Sequence, residues 1–197
     1  MTTHPAPAIN QYSARKSEQS ISVVDGWLES ARRVPSPNSD QRPEPGDLSL
    51  IVLHCISLPP GEFGSDGIER LFTNRLDPNA HPYFAEIHHL RVSAHGLIRR
   101  DGEIIQFVPF HRRAWHAGLS GYRGRSQCND FSIGIELEGT DDGPYEDVQY
   151  LKLNGLLRAL FDTYPGLTPE RIVAHGDIAP GRKTDPGPYF DWGRLAL

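Results

Sequence analysis

The run LSLIVLHCIS, residues 48–57, constrains the fold more than any other part of this chain. A continuous apolar, β-branched run of strand length suits a central strand covered on both faces, whereas a strand with one wet face alternates. It predicts a sheet with helices packed against it. Alternation along the strand then sets His54 on one face and Cys55 on the other. A second strand is predicted in FSIGIELEG, with Ile133, Ile135 and Leu137 on one face and Glu136 and Glu138 on the opposite one. Two carboxylates on one face of a buried strand cost free energy unless something pairs with them.

The remaining elements fit around these strands. SDGIERLFTNRL predicts a short helix with Ile68, Leu71 and Phe72 on one side. VSAHGLIRRDGEIIQFVPF predicts a hairpin turning at Asp101-Gly102, a preferred pair for tight turns. The best helix spans 145–165, where Leu153, Leu156, Leu157, Leu160 and Phe161 form an apolar stripe and Pro165 stops it. RIVAH, 171–175, predicts a short strand that delivers His175 into a loop. The polar stretch 77–91 and the segment 115–130 are expected to be loops, and the four prolines of 32–47 an irregular segment wrapped over the domain. The fold class expected is α/β (mixed): a single domain over 22–197 with a central mixed β-sheet flanked by α-helices, preceded by a flexible polar extension over 1–21.

A formal net charge of −5 over 197 residues argues against a general nucleic-acid or anionic-membrane surface, which needs a basic field. An acidic partner must then be met by local positive charge. Two cysteines in a chain of this length do not form a disulfide scaffold, and reduced thiols are expected. The first twenty residues carry no apolar run of the kind an export signal needs, and no window reaches membrane-spanning length. The expectation is a cytoplasmic monomer.

The loop HGDIAPGRKTDPGP, 175–188, places a histidine, a lysine and two aspartates within eleven positions. With His54 near the end of one predicted strand and His175 just after another, Asp185 completes two imidazoles and one carboxylate. That is a three-ligand set for zinc with the fourth position open. Glu136 and Lys183 are the available acid/base and cationic groups. Spacing leaves a second interpretation standing, because no short zinc signature such as HExxH is present. On it the histidines are core or surface groups, Glu136 an exposed carboxylate, Asp185 a turn residue before Pro186, and Lys183 a solvated cation.

The segments GWLESARRVPSPNSDQRP, VLHCISLPPGEFG, HPYFAEIHHLRVSAHGLIRRDGEIIQFVPF, RAWHAG, CNDFSIGIELEG and HGDIAPGRKTDPGP run in order over about 25–192. Together they resemble the AmpD family, cytoplasmic zinc-dependent 1,6-anhydro-N-acetylmuramyl-L-alanine amidases of cell-wall recycling, within the wider amidase and peptidoglycan-recognition fold. The resemblance implies one zinc ion per chain on His54, His175 and Asp185, catalytic roles for Glu136 and Lys183, and an anhydro-muramyl peptide as substrate. It also implies substrate contacts at Arg91 and Trp115, with Tyr83, Arg125 and Arg182 as further candidates. His95 and His116 are expected to be hydrogen-bonding groups behind the site, and Asp177 a local turn residue. Gln127 stands before Cys128 where some family members carry arginine, so the expected carboxylate contact either moves to Arg125 or is weakened.

Two other functions remain open at this point. One is a broader, lysin-type amidase acting on intact peptidoglycan. The other is a non-catalytic muropeptide-binding or sensing module on the same fold, although such modules lose a zinc ligand and all three candidates are present here.

Overall fold

The computed structural model describes residues 21–196; residues 1–20 of the expected extension and Leu197 lie outside the described residues. The main sheet is built from β1 (Arg32–Arg33), β2 (Leu50–Ile56), β3 (Gly96–Ile98), β4 (Ile104–Gln106), β5 (Ser132–Glu138) and β6 (Ile172–Ala174). Its spatial order is β6-β2-β5-β3-β4-β1. The first four run parallel, β4 turns back antiparallel to β3, and β1 lies parallel to β4. The sheet is therefore mixed, as expected. All seven residues of β5 are buried, and β2 is buried from Leu50 to His54, so the two apolar runs form the centre of the sheet.

One face packs on the long helix, which is α3 in a chain that also contains α1 (Gly67–Phe72), α2 (Pro82–Ile87) and α4 (His175–Ile178). α3 spans Asp147–Thr163 and inserts Leu153, Leu156, Leu157 and Leu160 against Ile51, Leu53, Ile133, Ile135 and Leu137. Each fully buried leucine of that set stabilises the fold by roughly 1.5–3 kcal/mol. Gln149 fixes the start of the helix: its Oε1 accepts from the Glu146 N–H, and its Nε2 donates to Ile98 O and Glu138 O at the ends of two strands. Ile21, the first described residue, packs on this same cluster, as does Cys55.

The other face carries two apolar clusters with a polar strip between them. Leu97, Ile105, Ile68, Leu71, Phe72 and Phe84 form one, joining β3 and β4 to α1 and α2. Leu50, Val52, Ala117, Cys128, Phe131 and Ile178 form the other. His54 and Glu136 project from β2 and β5 in the strip between. The hairpin turns at Gly102, whose φ of +87° is the left-handed conformation that a type of turn favouring glycine needs.

Four stretches expected as loops or irregular segments contain regular structure: 32–47 holds β1 and a strand at Ser39–Gln41 that pairs antiparallel with Arg112–Ala114, 175–188 opens with α4, and the other two are 77–91 and 115–130. Residues 77–91 include α2, which begins at Pro82 and is capped by His81, whose Nδ1 accepts from the Tyr83 N–H. It buries only Phe84 among its six residues, so no apolar stripe marked it in the sequence. Residues 115–130 include a short antiparallel pair, Gly121–Tyr122 with Arg125–Ser126, and a single 3-10 turn at Cys128–Asp130. Among the described residues, no helix is long and apolar enough to cross a membrane.

Candidate active site

Three parallel strands end together, and their carboxyl ends supply the site, the usual place for ligands on sheets of this type. His54 is the fifth residue of β2, Glu136 is its register partner on β5, and His175 follows β6 directly. The loop after α4 returns Asp185 to the same place: its carbonyl accepts from the Gly176 N–H, which ties the two ends of the loop together. Asp177 accepts from the Ala174 N–H and is a local turn group.

The three candidate ligands converge. His54 Nδ1 lies 2.9 Å from His175 Nδ1 and 3.2 Å from Asp185 Oδ2, and His175 Nδ1 lies 3.0 Å from that same oxygen. Donor atoms at ordinary bond lengths from a tetrahedral zinc are roughly 3.3 Å apart. The spacing therefore fits a single ion, and three lone-pair-bearing atoms so close together repel one another without a cation or protons between them. Among the described residues, these three form the one group of such side chains close enough to hold a metal. Both histidines are buried, and burial pushes His54 down to about 4, against the opposing pull of Asp185, so its imidazole is neutral at neutral pH. Burial opposes ionisation of Asp185, but contact with His175 and His54 prevails and holds its carboxyl well below the usual range.

The carboxylate pair on β5 separates into two fates. Glu138 is neutralised: Arg99 lies 3.1 Å away, and the Gly64 and Arg100 N–H groups donate to it. Glu136 has no such partner. Its Oε2 is buried with no hydrogen bond, and burial, with the charge of Asp185 adding to it, raises its pKa well above the ordinary glutamate value, while Lys183 acts in the opposite sense. An orphaned buried carboxyl oxygen is costly, and a folded chain that keeps one beside three convergent ligands has a use for it.

A cavity of about 450 Å³ opens over these groups. His54, Glu136, His175, Lys183 and Asp185 form its polar side, and Leu58, Leu71, Phe72, Ile87 and Val92 form an apolar wall opposite. Of the sequence-level substrate candidates, Tyr83 and Arg182 line it. Arg182 also donates to Ala117 O at 2.6 Å and to Leu119 O at 2.7 Å, so its guanidinium is already engaged. The other three lie off the cavity wall. Arg91 donates to His89 O at 3.1 Å and sits next to the wall residues Leu90 and Val92. Arg125 pairs with Asp47 and lies 3.7 Å over the Phe131 ring. Trp115 is half-buried, with its backbone N–H donating to Ser93 Oγ.

Several groups at the site were not singled out in the sequence. The apolar wall comes mostly from α1, α2 and their flanks, and aliphatic residues there carry no chemical signature. Arg42 is buried behind the site, donating to the carbonyls of Asn129, Asp130, Phe110 and Ser132, with burial lowering its pKa to about 10. Nothing in its local sequence distinguishes it from the surface arginines.

Two imidazoles and a carboxylate around one point, an unpaired acid beside them, and a lysine on the cavity wall are the groups that a metal-assisted hydrolase uses, here on a mixed α/β sheet. The sequence model of the N-acetylmuramoyl-L-alanine amidase family matches residues 44–188, and the chain belongs to that family. It is 64% identical over 175 residues to the 1,6-anhydro-N-acetylmuramyl-L-alanine amidase AmpD of Escherichia coli K12, covering 89% of this chain and 95% of that protein. A crystal structure of a selenomethionine AmpD derivative superposes with a TM-score of 0.86 at 62% identity, over 88% of this chain and 96% of that one. The amidase AmiD of E. coli, solved with anhydro-N-acetylmuramic acid-L-Ala-D-γ-Glu-L-Lys, shares the fold at a TM-score of 0.55 and 30% identity, over 91% of this chain and 65% of AmiD.

Proposed function

We propose that this protein hydrolyses the amide bond between 1,6-anhydro-N-acetylmuramic acid and the L-alanine of muropeptides, with one zinc ion held by His54, His175 and Asp185. The observation that carries the reading is the convergence of the three ligand atoms within hydrogen-bonding distance of one another, beside the unpaired Oε2 of Glu136. The names of the relatives, and the anhydro-muropeptide bound by AmiD, supply the substrate class. On this reading the enzyme works in cytoplasmic recycling of cell-wall fragments.

Zinc, when bound, supplies Lewis acidity toward a carbonyl oxygen and lowers the pKa of water toward 7. Glu136 takes a proton from the attacking water as its oxygen bonds to the lactyl carbonyl carbon. It returns that proton to the alanine nitrogen as the C–N bond breaks, leaving a carboxylic acid on the sugar side, which gives its own proton to the released amine or to solvent. A raised pKa suits both halves of this exchange, because the same group must hold the proton between them. Lys183 sits on the cavity wall, where its ammonium stabilises the developing oxyanion. The apolar wall and Tyr83 receive the body of the substrate and exclude water. Arg91 is our candidate for a peptide carboxylate, which a net-acidic protein must meet with local positive charge; its chain neighbours Leu90 and Val92 line the cavity, which supports the reading. Arg182 lines the cavity beside Lys183 and would meet the substrate there, and Trp115 and Arg125, off the wall, would meet more distant parts of the peptide or sugar.

The test is hydrolysis of purified anhydro-muramyl peptide, followed by chromatography, with zinc-loaded protein, chelated protein and the His175→Ala variant. Turnover that needs both zinc and His175 is the expected result. Peptide binding without turnover in the zinc-loaded protein would instead mark a sensing module, and a strong preference for intact sacculi would mark a lysin-type amidase.

A further inference from the structure

The second nitrogens of both ligand histidines end on one dipeptide. His175 Nε2 lies 3.1 Å from Ala117 O, and His54 Nε2 lies 2.9 Å from His116 Nδ1. A carbonyl oxygen only accepts, so the proton of His175 is on Nε2 and its Nδ1 presents a lone pair. His116 can pass the same instruction to His54. Its own Nε2 lies 3.1 Å from the Ser132 hydroxyl; with that hydroxyl accepting, His116 Nδ1 accepts from His54 Nε2–H, the arrangement that leaves the His54 Nδ1 lone pair beside that of His175.

The dipeptide is itself held from several sides. Asn129 Oδ1 accepts both of its backbone N–H groups, His116 at 3.1 Å and Ala117 at 2.8 Å. Arg182 shares the Ala117 carbonyl with His175. Ala117 is fully buried among Val52, Cys128 and Ile178. The His116 ring lies flat against Gly134, so close that a Cβ there would sit 2.4 Å from its Cγ. The short strand Arg112–Ala114 has ended before this point, so sheet pairing does not account for the restraint.

We propose that His116–Ala117 is the outer frame of the metal centre, with Asn129 as its fastening. The dipeptide fixes both ligand imidazoles in the tautomer that aims Nδ1 at Asp185 Oδ2, so the three donors are aligned before a metal arrives. The inference rests on the metal-centre reading above. His116 and Asn129 are positioning residues: His116 acts through His54, and Asn129 acts through the dipeptide. Loss of such outer partners of a ligand histidine typically weakens metal binding by roughly 10–100-fold.

The experiment measures zinc affinity of the full chain by chelator competition, together with ring ¹⁵N NMR of His54 and His175 in metal-free protein, which reads the tautomer directly. Four variants separate the hydrogen bonds from bulk. His116→Ala and Asn129→Ala remove the acceptors. His116→Asn places Oδ1 where Nδ1 was, and Asn129→Asp keeps an acceptor for the two N–H groups. Both alanine variants are expected to bind zinc roughly 10–100-fold more weakly, with mixed tautomers, while the Asn and Asp variants stay near the parent. Alanine variants that match the parent in affinity and tautomer overturn the proposal. So do folded Asn and Asp variants that bind as weakly as the alanines. A parent protein that binds no zinc sinks the metal-centre reading itself, a result distinct from either.

Discussion

Glu136 lies directly across from His54 on the neighbouring parallel strand, and both side chains share the face of the sheet that opens into the cavity. Their spacing is set by the distance between strands, roughly 4.8 Å, and by register, so the acid and the ligand cannot drift apart while the sheet is intact. Glu138, two residues on, faces the same side but is bound to Arg99. Burial is common to both carboxylates, and the missing partner is what sets Glu136 apart as the candidate acid.

Glu136→Gln keeps the shape and removes the proton carrier. The expected outcome is a fall in kcat of roughly 10²–10⁴-fold with zinc affinity unchanged. Steady-state hydrolysis beside a chelator titration checks it, and a variant within tenfold of the parent would exclude Glu136 as the acid/base.

Lys183→Met removes a cation that acts on charge formed during the reaction. We expect kcat to drop about 10²–10³-fold with KM nearly constant, because the ground-state amide carries no net charge for the ammonium to hold. A rise in KM at constant kcat would reassign Lys183 to substrate binding.

Gly134→Ala tests the packing behind His54. The added Cβ would meet the His116 ring at 2.4–2.7 Å, so the ring must move off its hydrogen bond to His54. Destabilisation of roughly 1–3 kcal/mol is expected, the ordinary cost of overpacking a core, read from the urea midpoint. An unchanged midpoint would show that the ring has room to yield.

Glu69 provides a pH signature away from the site. Hydrogen bonds from Arg32, with Arg99 adding to them against the cost of burial, lower its pKa from 4.5 to about 2. A depressed folded-state pKa contributes stability that is fully present above the unfolded value near 4.5 and is lost as pH falls through about 2. Glu69→Gln should lower Tm at pH 7 and flatten the dependence of Tm on pH between 4.5 and 2. Parallel melting curves for parent and variant across that window would contradict it.

Much of the fold was legible because its centre announces itself chemically. β2 and β5 are apolar runs with few alternatives, Asp101-Gly102 marks its hairpin, and the leucines of α3 repeat at helical spacing. α2 was missed because a surface helix that buries one phenylalanine leaves no periodic trace. The candidate ligand set could be read as residue types on strand ends, although the resemblance to known amidases was needed to choose it over core histidines and a turn aspartate. Of the outer frame, His116 was readable only as a hydrogen-bonding group behind the site; its ties to Asn129 and His175 run through the backbone of His116 and Ala117, and backbone groups have no signature in a sequence. Arg125 pairs with Asp47, a carboxylate 78 positions away in the chain that a linear reading cannot see.

The cavity has two sides drawn from different parts of the chain. The reactive side hangs on the ends of β2 and β5 and on the 175–185 loop, whereas the wall that faces it comes from 58–92, through α1 and α2. α1 and α2 anchor in a separate apolar cluster from the one that holds Ala117. Substitutions within 58–92 would therefore reshape that wall and leave the candidate ligands, Glu136 and Lys183 in place, so one side of the pocket can be inherited without the other.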